Sequence, residues 1–190
     1  MLIPTVIKKT ANGQAAFDLY SRLLEDNIIF IDGEINQELA SIVVGSLKYL
    51  EAKDPKQTIS IWINSQGGEI YSGYSIIDTI HSIKNPVQTV ATGYVASMGT
   101  TIFINGDKGN RLIQPHCRVL VHQPLGGVKG QASEIEIEYK EIQLLKEQLE
   151  DEYVALTKVN KKKMHEMMDR DTWLSAEEAV KLGLADKIIQ

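Results

Sequence analysis

The stretch Thr58-Ile59-Ser60-Ile61-Trp62-Ile63-Asn64-Ser65-Gln66-Gly67-Gly68 decides the fold class of this 190-residue chain. Its apolar, β-branched first part is typical of a buried strand, and the glycine pair after it lets backbone N–H groups approach a ligand. Strands of the same kind begin near residues 28 and 87, so the pattern recurs roughly every 30 residues, with helical spacing between them. The sequence therefore predicts an α/β fold of repeated strand–helix units with parallel pairing.

The composition is that of one soluble globular domain. The chain is 43% apolar and 24% charged, has a net charge of −5 and contains a single cysteine, Cys117, which we expect in the core. It has no basic stripe for nucleic acid, no apolar run near the ~20 residues that cross a bilayer, and no signal-peptide pattern. We therefore expect a cytoplasmic protein with neither nucleic-acid nor membrane partners.

Ser97 follows the strand predicted over residues 87–95, at the turn into the next element. An acyl-transfer nucleophile suits this position, because a strand-to-helix turn exposes the hydroxyl and leaves backbone N–H groups free to stabilise an oxyanion. A serine before a helix is also a common N-cap. The segment alone leaves both interpretations open.

Two other features point to the same edge of the sheet. Loops at the carboxyl ends of neighbouring parallel strands share one crevice, so we expect the N–H groups of Gly68 and Met98 to face one oxygen. His122 ends the strand predicted over residues 118–122 and reaches the same crevice. A histidine base needs an orienting acid, and spacing does not choose among Asp169, Asp171 and Asp186.

The last third of the chain is helical. Between residues 135 and 156 apolar residues recur in steps of three and four, which indicates an amphipathic helix, although its first residues also alternate with strand period. Ile137 and Leu144 lie outside the apolar stripe and predict an assembly surface. A capping box at Ser175 opens a final short helix that Gly183 ends.

Segments along the whole chain resemble the Clp peptidase family, in order and with matching spacing from residue 3 to residue 189. The segments are residues 17–24, 63–68, 93–99, 121–127, 170–179 and 183–186. The resemblance implies an α/β crotonase-like superhelix of repeated strand–strand–helix units with a protruding handle helix. It also implies one peptidase domain over residues 1–190. Residues 1–16 form its axial N-terminal segment, 17–121 and 161–190 its head, and about 123–160 its handle.

The resemblance further implies a serine endopeptidase without a metal or cofactor. It assigns Ser97 as the nucleophile, His122 as the general base and Asp171 as the orienting acid. The oxyanion donors are Gly68 and Met98, and the substrate contacts are Gly67, Ile70 and Leu125. The ring–ring contacts are Gln131, Glu134, Asp169 and Arg170.

Family members of this kind form two stacked heptameric rings and receive unfolded substrates from a hexameric AAA+ ATPase. The chain has no P-loop motif of its own, which agrees with an external unfoldase. The positions that match the ATPase-docking pocket are partly polar. They are Ser60, Ser82, Thr92 and Gln114, beside the apolar Trp62, Leu112 and Ile189. This polarity favours a different partner or a second peptidase isoform, and Gln66, in place of the usual proline, is expected to loosen the oxyanion loop.

Two alternatives remain at the level of sequence. An acyl-CoA hydratase or isomerase of the same fold would use the glycine loop but would need no pair of Ser97 and His122. A catalytically weak ring isoform would assemble with an active paralogue; the intact triad argues against complete inactivity, whereas the polar docking pocket keeps this alternative open.

Overall fold

In the computed structural model, which describes residues 3–10 and 13–189, a mostly parallel sheet is covered by helices. The strands are β1 Thr5–Thr10, β2 Gly13–Asp18, β3 Ile28–Ile35, β4 Ile59–Gly68, β5 Val87–Ala96, β6 Arg111–Ile113, β7 Arg118–Val121, β8 Thr172–Leu174 and β9 Lys187–Ile188. The helices are α1 Leu19–Glu25, α2 Gln37–Lys53, α3 Ile70–Ser82, α4 Met98–Ile104, α5 Ala132–Leu156, α6 Lys161–Asp169 and α7 Ala176–Leu182.

The central strands alternate with helices as the sequence predicts. β3, β4 and β5 pair in parallel, and a helix follows each of them. β5 is long enough to have two partners on its other edge, since its first half pairs with β6 and its second half with β7. The predicted parallel pairing is confirmed for the three recurring strands, whereas β8 runs antiparallel to β7.

The two faces of β4 differ in burial. Ile59, Ile61 and Ile63 are completely buried against the helical layer, while Ser60 and Trp62 on the other face are half-buried. Burying one isoleucine side chain stabilises a fold by about 1.5–3 kcal/mol, so this alternation strongly fixes the register of the strand.

β4 is longer than the sequence analysis predicts. After a shift in register, Gly67 and Gly68 pair with Glu34 and Ile35 at the end of β3, which is longer as well. The glycine pair is therefore the end of a strand rather than a separate turn. Pairing with a neighbouring strand is a tertiary effect that local sequence patterns do not report.

The N-terminal strands form an antiparallel hairpin whose side chains are largely exposed. In the segment of residues 17–24, whose resemblance to the first helix of the family predicts a helix, α1 begins only at Leu19, because Asp18 is its N-cap and accepts a hydrogen bond from the Ser21 N–H at 2.9 Å. Residues 1, 2, 11 and 12 of the predicted axial segment lie outside the described residues.

α5 resolves the ambiguity between helix and strand. It is one helix of 25 residues, and its capping box joins Gln131 and Glu134. Residues 132–140 are all exposed, whereas the second half buries Leu145, Leu149 and Tyr153. The helix therefore packs along its C-terminal half and leaves its first turns uncovered by the described part of the chain.

Three smaller expectations are confirmed. Ser175 caps α7 in a reciprocal capping box with Glu178, and Gly183 ends the helix at a φ of 79°. Cys117 is buried, and burial raises the pKa of its thiol to about 12, which makes it an inert core residue. Among the described residues no helix is long and apolar enough to cross a membrane.

Candidate active site

Ser97 occupies a strained turn between β5 and α4. Its φ is 53° and its ψ is −124°, a conformation that costs a non-glycine residue about 1–3 kcal/mol. Hydrogen bonds within and around the turn hold it in this conformation. The Ser97 N–H donates to the carbonyl oxygen of Leu120 at 3.2 Å, and the Thr100 hydroxyl donates to the carbonyl oxygens of Val95 and Leu120 at 3.0 and 2.8 Å. Such strain is typical of a nucleophile presented at the end of a strand.

The structure does not support the interpretation of Ser97 as a helix cap. Ser97 stands at the N-cap position of α4, yet its hydroxyl makes no capping hydrogen bond. The hydroxyl is therefore free to react. Met98 begins the helix, and a helix leaves its first N–H groups without intrahelical partners.

Gly67 is packed directly against this turn. A Cβ atom at Gly67 would lie 2.7 Å from both the Ala96 carbonyl oxygen and the Ser97 Cβ, and 3.0 Å from the Met98 nitrogen. The Gly67 N–H already donates to the Ser65 hydroxyl at 3.0 Å. The next N–H group along the chain, that of Gly68, is therefore the candidate oxyanion donor. Only glycine fits here, because φ is 92° and no side chain has room.

His122 lies one residue beyond the end of β7, whereas the sequence analysis predicts it as the last residue of the strand. Its side chain is 11% exposed. β7 pairs with β8 so that Val121 faces Thr172, and this register sets His122 opposite Asp171. The Gln123 N–H donates to the Met168 carbonyl oxygen at 2.7 Å and ties the same corner to the end of α6.

The three groups of the expected triad are close but not fully engaged. The distance from His122 Nδ1 to Asp171 Oδ1 is 3.7 Å, and the Asp171 side chain is 67% exposed. His122 Nε2 is buried and has no hydrogen-bond partner among the described residues, so it makes no bond to the Ser97 hydroxyl in this state. Catalytic hydrogen bonds are often long in unliganded enzymes and shorten when substrate binds.

The other two candidate acids have other neighbours. Asp186 forms a two-pronged pair with the buried Arg111, with 2.6 Å from Oδ1 to Nη2 and 2.9 Å from Oδ2 to Nε. These bonds outweigh burial and lower the pKa of Asp186. Asp169 lies 3.7 Å from Arg170 Nη1. Asp171 is therefore the candidate acid that the fold brings to His122.

Ser97, Met98, Gly68 and His122 line one cavity of about 290 Å³. Ile70 lies on its β4–α3 side, and Leu125, which is 84% exposed, lies on the segment after His122. The lining also includes four apolar side chains, here called the apolar end of the cavity: Met98, Leu149, Tyr153 and Met168.

Sequence analysis missed several residues of this cavity. Leu149, Tyr153 and Met168 come from α5 and α6, far from the motifs in sequence, and Glu34 comes from the end of β3. Tyr153 is buried, and burial raises its pKa, while its hydroxyl lies 3.3 Å from that of Thr101. No local pattern marks these residues, because only the packing of the helices on the sheet brings them to Ser97.

A family comparison gives the context for this geometry. The model of the family described as Clp protease matches residues 11–190. The chain belongs to the Clp protease family. The predicted family and the predicted crotonase-like fold are thereby confirmed, since the Clp protease family has that fold and the structure is a mixed α/β domain with a mostly parallel sheet. Membership implies a serine peptidase and oligomeric assembly with an unfoldase.

The expected ring-contact residues of this Clp protease family member lie at the start of α5 and at the end of α6. Gln131 and Glu134 form the cap of α5, while Asp169 and Arg170 end α6. The Arg170 side chain is 84% exposed, and its Nη1 donates to the Asp169 carbonyl oxygen at 2.8 Å. All four residues are exposed in the single chain and accessible to another subunit.

The positions that match the docking pocket lie mainly on the outer face of the sheet. Trp62 on β4 is beside Val90 on β5, which is beside Leu112 on β6, so they form an apolar row. Hydrogen bonds between polar side chains flank this row. They join Ser60 to Gln88 at 3.2 Å and Thr92 to Gln114 at 2.6 Å.

The described residues contain no group of acidic, histidine and cysteine side chains that could hold a metal ion.

Proposed function

We propose that this chain is the proteolytic subunit of an ATP-dependent Clp protease, a serine endopeptidase that cleaves peptides and unfolded proteins inside a double-ring chamber in the cytoplasm. The observation that carries the proposal is the strained turn at Ser97, whose uncapped hydroxyl shares a cavity with His122 and the Gly67–Gly68 loop.

The chemical step follows from these positions. Ser97 Oγ attacks the scissile carbonyl carbon while His122 Nε2 takes the hydroxyl proton, and the N–H groups of Gly68 and Met98 stabilise the oxyanion. His122 then protonates the leaving amine. A water molecule, activated by the same histidine, releases the acyl group from Ser97. Asp171 orients His122 and stabilises the imidazolium that forms in each half of the reaction.

Substrate binding uses the backbone of the peptide. The segment over residues 68–70 and the segment at Leu125 border the cavity, and a peptide between them adds a strand by main-chain hydrogen bonds. Because such bonds do not depend on side chains, the enzyme tolerates many sequences. The apolar end of the cavity accepts the side chain of the residue that supplies the scissile carbonyl.

Assembly into two stacked heptameric rings is supported by the uncovered first half of α5. Ile137 and Leu144 are 66% and 48% exposed, and contact with a second ring would bury them. In this arrangement residues 123–160 are the handle, residues 17–121 and 161–190 the head, and residues 1–16 the axial segment. The isolated double ring cleaves short peptides, and a hexameric AAA+ ATPase must unfold proteins before they enter.

Arg170 couples assembly to the triad, because it is adjacent to Asp171 and is itself a ring contact. Arg170→Ala should yield single rings with reduced peptidase activity. Analytical ultracentrifugation and peptide hydrolysis on the same samples test this, and fully active double rings of the variant would disprove the coupling.

Peptidase activity is tested with the purified protein and a short fluorogenic peptide. We expect hydrolysis by the wild type and a loss of at least ~10³-fold in Ser97→Ala. A fluorophosphonate should label the wild type and not the variant. An acyl-CoA hydratase or isomerase would neither react with the probe nor cleave the peptide, so absence of both signals favours that alternative.

A catalytically weak ring isoform is the second candidate. The 3.7 Å separation of His122 and Asp171 and the polar pairs on the outer sheet face favour it. Such an isoform hydrolyses the peptide slowly alone and gains activity when mixed with an active paralogue. Full activity of the homomeric assembly excludes this candidate.

A further inference from the structure

The catalytic cavity contains one acidic side chain that the proposed mechanism does not use. Glu34 lies near the end of β3, lines the cavity with Ser97 and His122, and is exposed. The backbone of Glu34 pairs with Gly67, and because Gly67 has no side chain, it does not cover the Glu34 carboxylate. Among the described residues the Glu34 carboxylate has neither a hydrogen bond nor an ion pair, so it is available to a substrate.

Nearby acids are already engaged. The Asp32 carboxylate accepts a hydrogen bond from the Asn64 amide at 2.9 Å, and the Glu69 carboxylate accepts one from the Ser72 hydroxyl at 2.7 Å. Among the described residues that line the cavity there is no lysine or arginine. The mouth of the cavity therefore has a negative potential that no basic side chain in the lining neutralises.

The order of the strands determines which part of a substrate Glu34 meets. β4 separates β3 from β5, and β7 pairs with the other edge of β5, so Glu34 lies on the β3 side of Ser97. Met168 of the apolar end lies on the β7 side, since its carbonyl oxygen accepts a hydrogen bond from the Gln123 N–H just after β7. If the apolar end takes the residue that donates the scissile carbonyl, the β3 side is left for the residue that follows the scissile bond.

We propose that Glu34 is a specificity-determining residue that selects peptides with a cationic side chain, lysine or arginine, directly after the scissile bond. The inference rests on the proposed peptidase function. A partly exposed ion pair changes affinity by about 2- to 5-fold, so the selection is a preference rather than an absolute requirement. It weakens as salt screens the two charges.

The test uses the assembled enzyme and three quenched fluorescent peptides that differ only at the position after the scissile bond, with lysine, glutamine or glutamate there. Mass spectrometry verifies that all three are cut at the same bond. For the wild type we expect kcat/KM to be about 2- to 5-fold higher for the lysine peptide than for the glutamine peptide, and lower still for the glutamate peptide. The ratio should fall toward one at ~0.5 M salt.

Two substitutions isolate the role of Glu34. Glu34→Gln should bring the ratio of lysine to glutamine peptides close to one, and Glu34→Lys should favour the glutamate peptide. Asp32→Asn removes the same charge from the same strand at a position outside the cavity and should keep the wild-type ratio. An unchanged ratio in Glu34→Gln, or an equal loss in Asp32→Asn, overturns the inference. Lack of hydrolysis of all three peptides by the wild type instead overturns the proposed function.

Discussion

The turn at Ser97 and the first half of α5 differ in how much of their surroundings the chain itself provides. Every residue of α4, directly after Ser97, is buried. Residues 132–140 of α5 are all exposed, and Ile137 and Tyr139 are 66% and 58% accessible to solvent. Ser97, the proposed nucleophile, is thus held by the core of its own subunit, whereas the first half of α5 is not covered by the described part of the chain.

This contrast extends into the candidate site. The serine side of the site is built from β4, β5 and α4, which pack closely on one another. The proposed orienting acid, Asp171, is by contrast 67% exposed and lies next to Arg170, which caps the end of α6. We infer that the oxyanion site is formed within each subunit, and that closure of the pair of His122 and Asp171 depends on contacts that only assembly provides.

Of the substitutions that test this contrast, the largest loss of activity is expected at Gly67, which is tightly packed against Ser97. Gly67→Ala places a Cβ 2.7 Å from the Ser97 Cβ and the Ala96 carbonyl oxygen at a φ of 92°. The loop must shift away from Ser97, so kcat should fall by about 10²–10³-fold, as for loss of an oxyanion donor. Peptide hydrolysis measures this effect.

The matched control is Gly45→Ala in α2, where an added Cβ meets nothing within 4 Å. This change should leave activity unaltered and raise stability by about 0.5–1 kcal/mol, since glycine is a poor helix former. Wild-type activity in Gly67→Ala would contradict a preformed oxyanion site.

The second prediction concerns the exposed side of the site. Asp171→Asn should reduce kcat by ~10²-fold, less than the loss expected for Ser97→Ala, because water screens a carboxylate that is 67% exposed. Steady-state kinetics on double and single rings provide the measurement. If the contact between His122 and Asp171 closes only on assembly, the kcat values of the variant and the wild type should differ more in double rings than in single rings.

Glu166→Gln is the control, since it removes an exposed carboxylate of α6 whose single ion pair within the described part of the chain is with Lys163 at 3.7 Å. Equal losses for Glu166→Gln and Asp171→Asn would mean that the general negative charge of this region, rather than the contact of Asp171 with His122, determines activity.

Much of the serine side of the site was predictable from sequence. Ser97 and the glycine pair each lie near the carboxyl end of a recurring strand, and parallel pairing brings such ends together. Asp171 was not predictable from spacing. It reaches His122 only through the antiparallel register of β7 and β8, two short strands separated by about 50 residues of chain and two helices.

The assembly surface on α5 was predicted for a different physical reason. Ile137 lies off the apolar stripe of α5, and an apolar residue without a core to enter indicates contact with another chain. Glu34 could not be found in this way, because an exposed acid at a strand end is common and only its pairing with Gly67 brings it to the cavity.

The third prediction tests the uncovered half of α5. Ile137→Ser removes an exposed apolar side chain and should weaken association of the rings by about tenfold, while the subunit keeps its helical content. Sedimentation across a range of protein concentrations detects the shift. Leu145→Ala on the same helix is the contrast, because Leu145 is 8% exposed and its loss should cost about 2–5 kcal/mol of subunit stability. Unaltered association of Ile137→Ser would remove this face from the ring contact.

The smallest effect concerns Glu152, in the packed half of α5. Burial is the main cause that raises the pKa of this carboxyl, although the Asn105 amide donates to it at 2.6 Å. A raised pKa means that the folded state binds more protons than the unfolded state above pH 4.5, so stability is lost as pH rises through the folded pKa. Glu152→Gln removes this loss, and its melting temperature should exceed that of the wild type by about 2–4 °C at pH 7.5 and by less at pH 4.5.

Glu136→Gln provides the comparison within the same helix. Glu136 is exposed and pairs with Lys140 at 2.7 Å, and such surface pairs contribute little to stability. Its melting temperature should follow that of the wild type at both pH values. If Glu136→Gln and Glu152→Gln shift the melting temperature alike, the two halves of α5 share one environment. The distinction between its packed second half and its uncovered first half would then be wrong. An advantage of Glu152→Gln that grows with rising pH would show that the partly buried carboxylate of Glu152 destabilises the packed half.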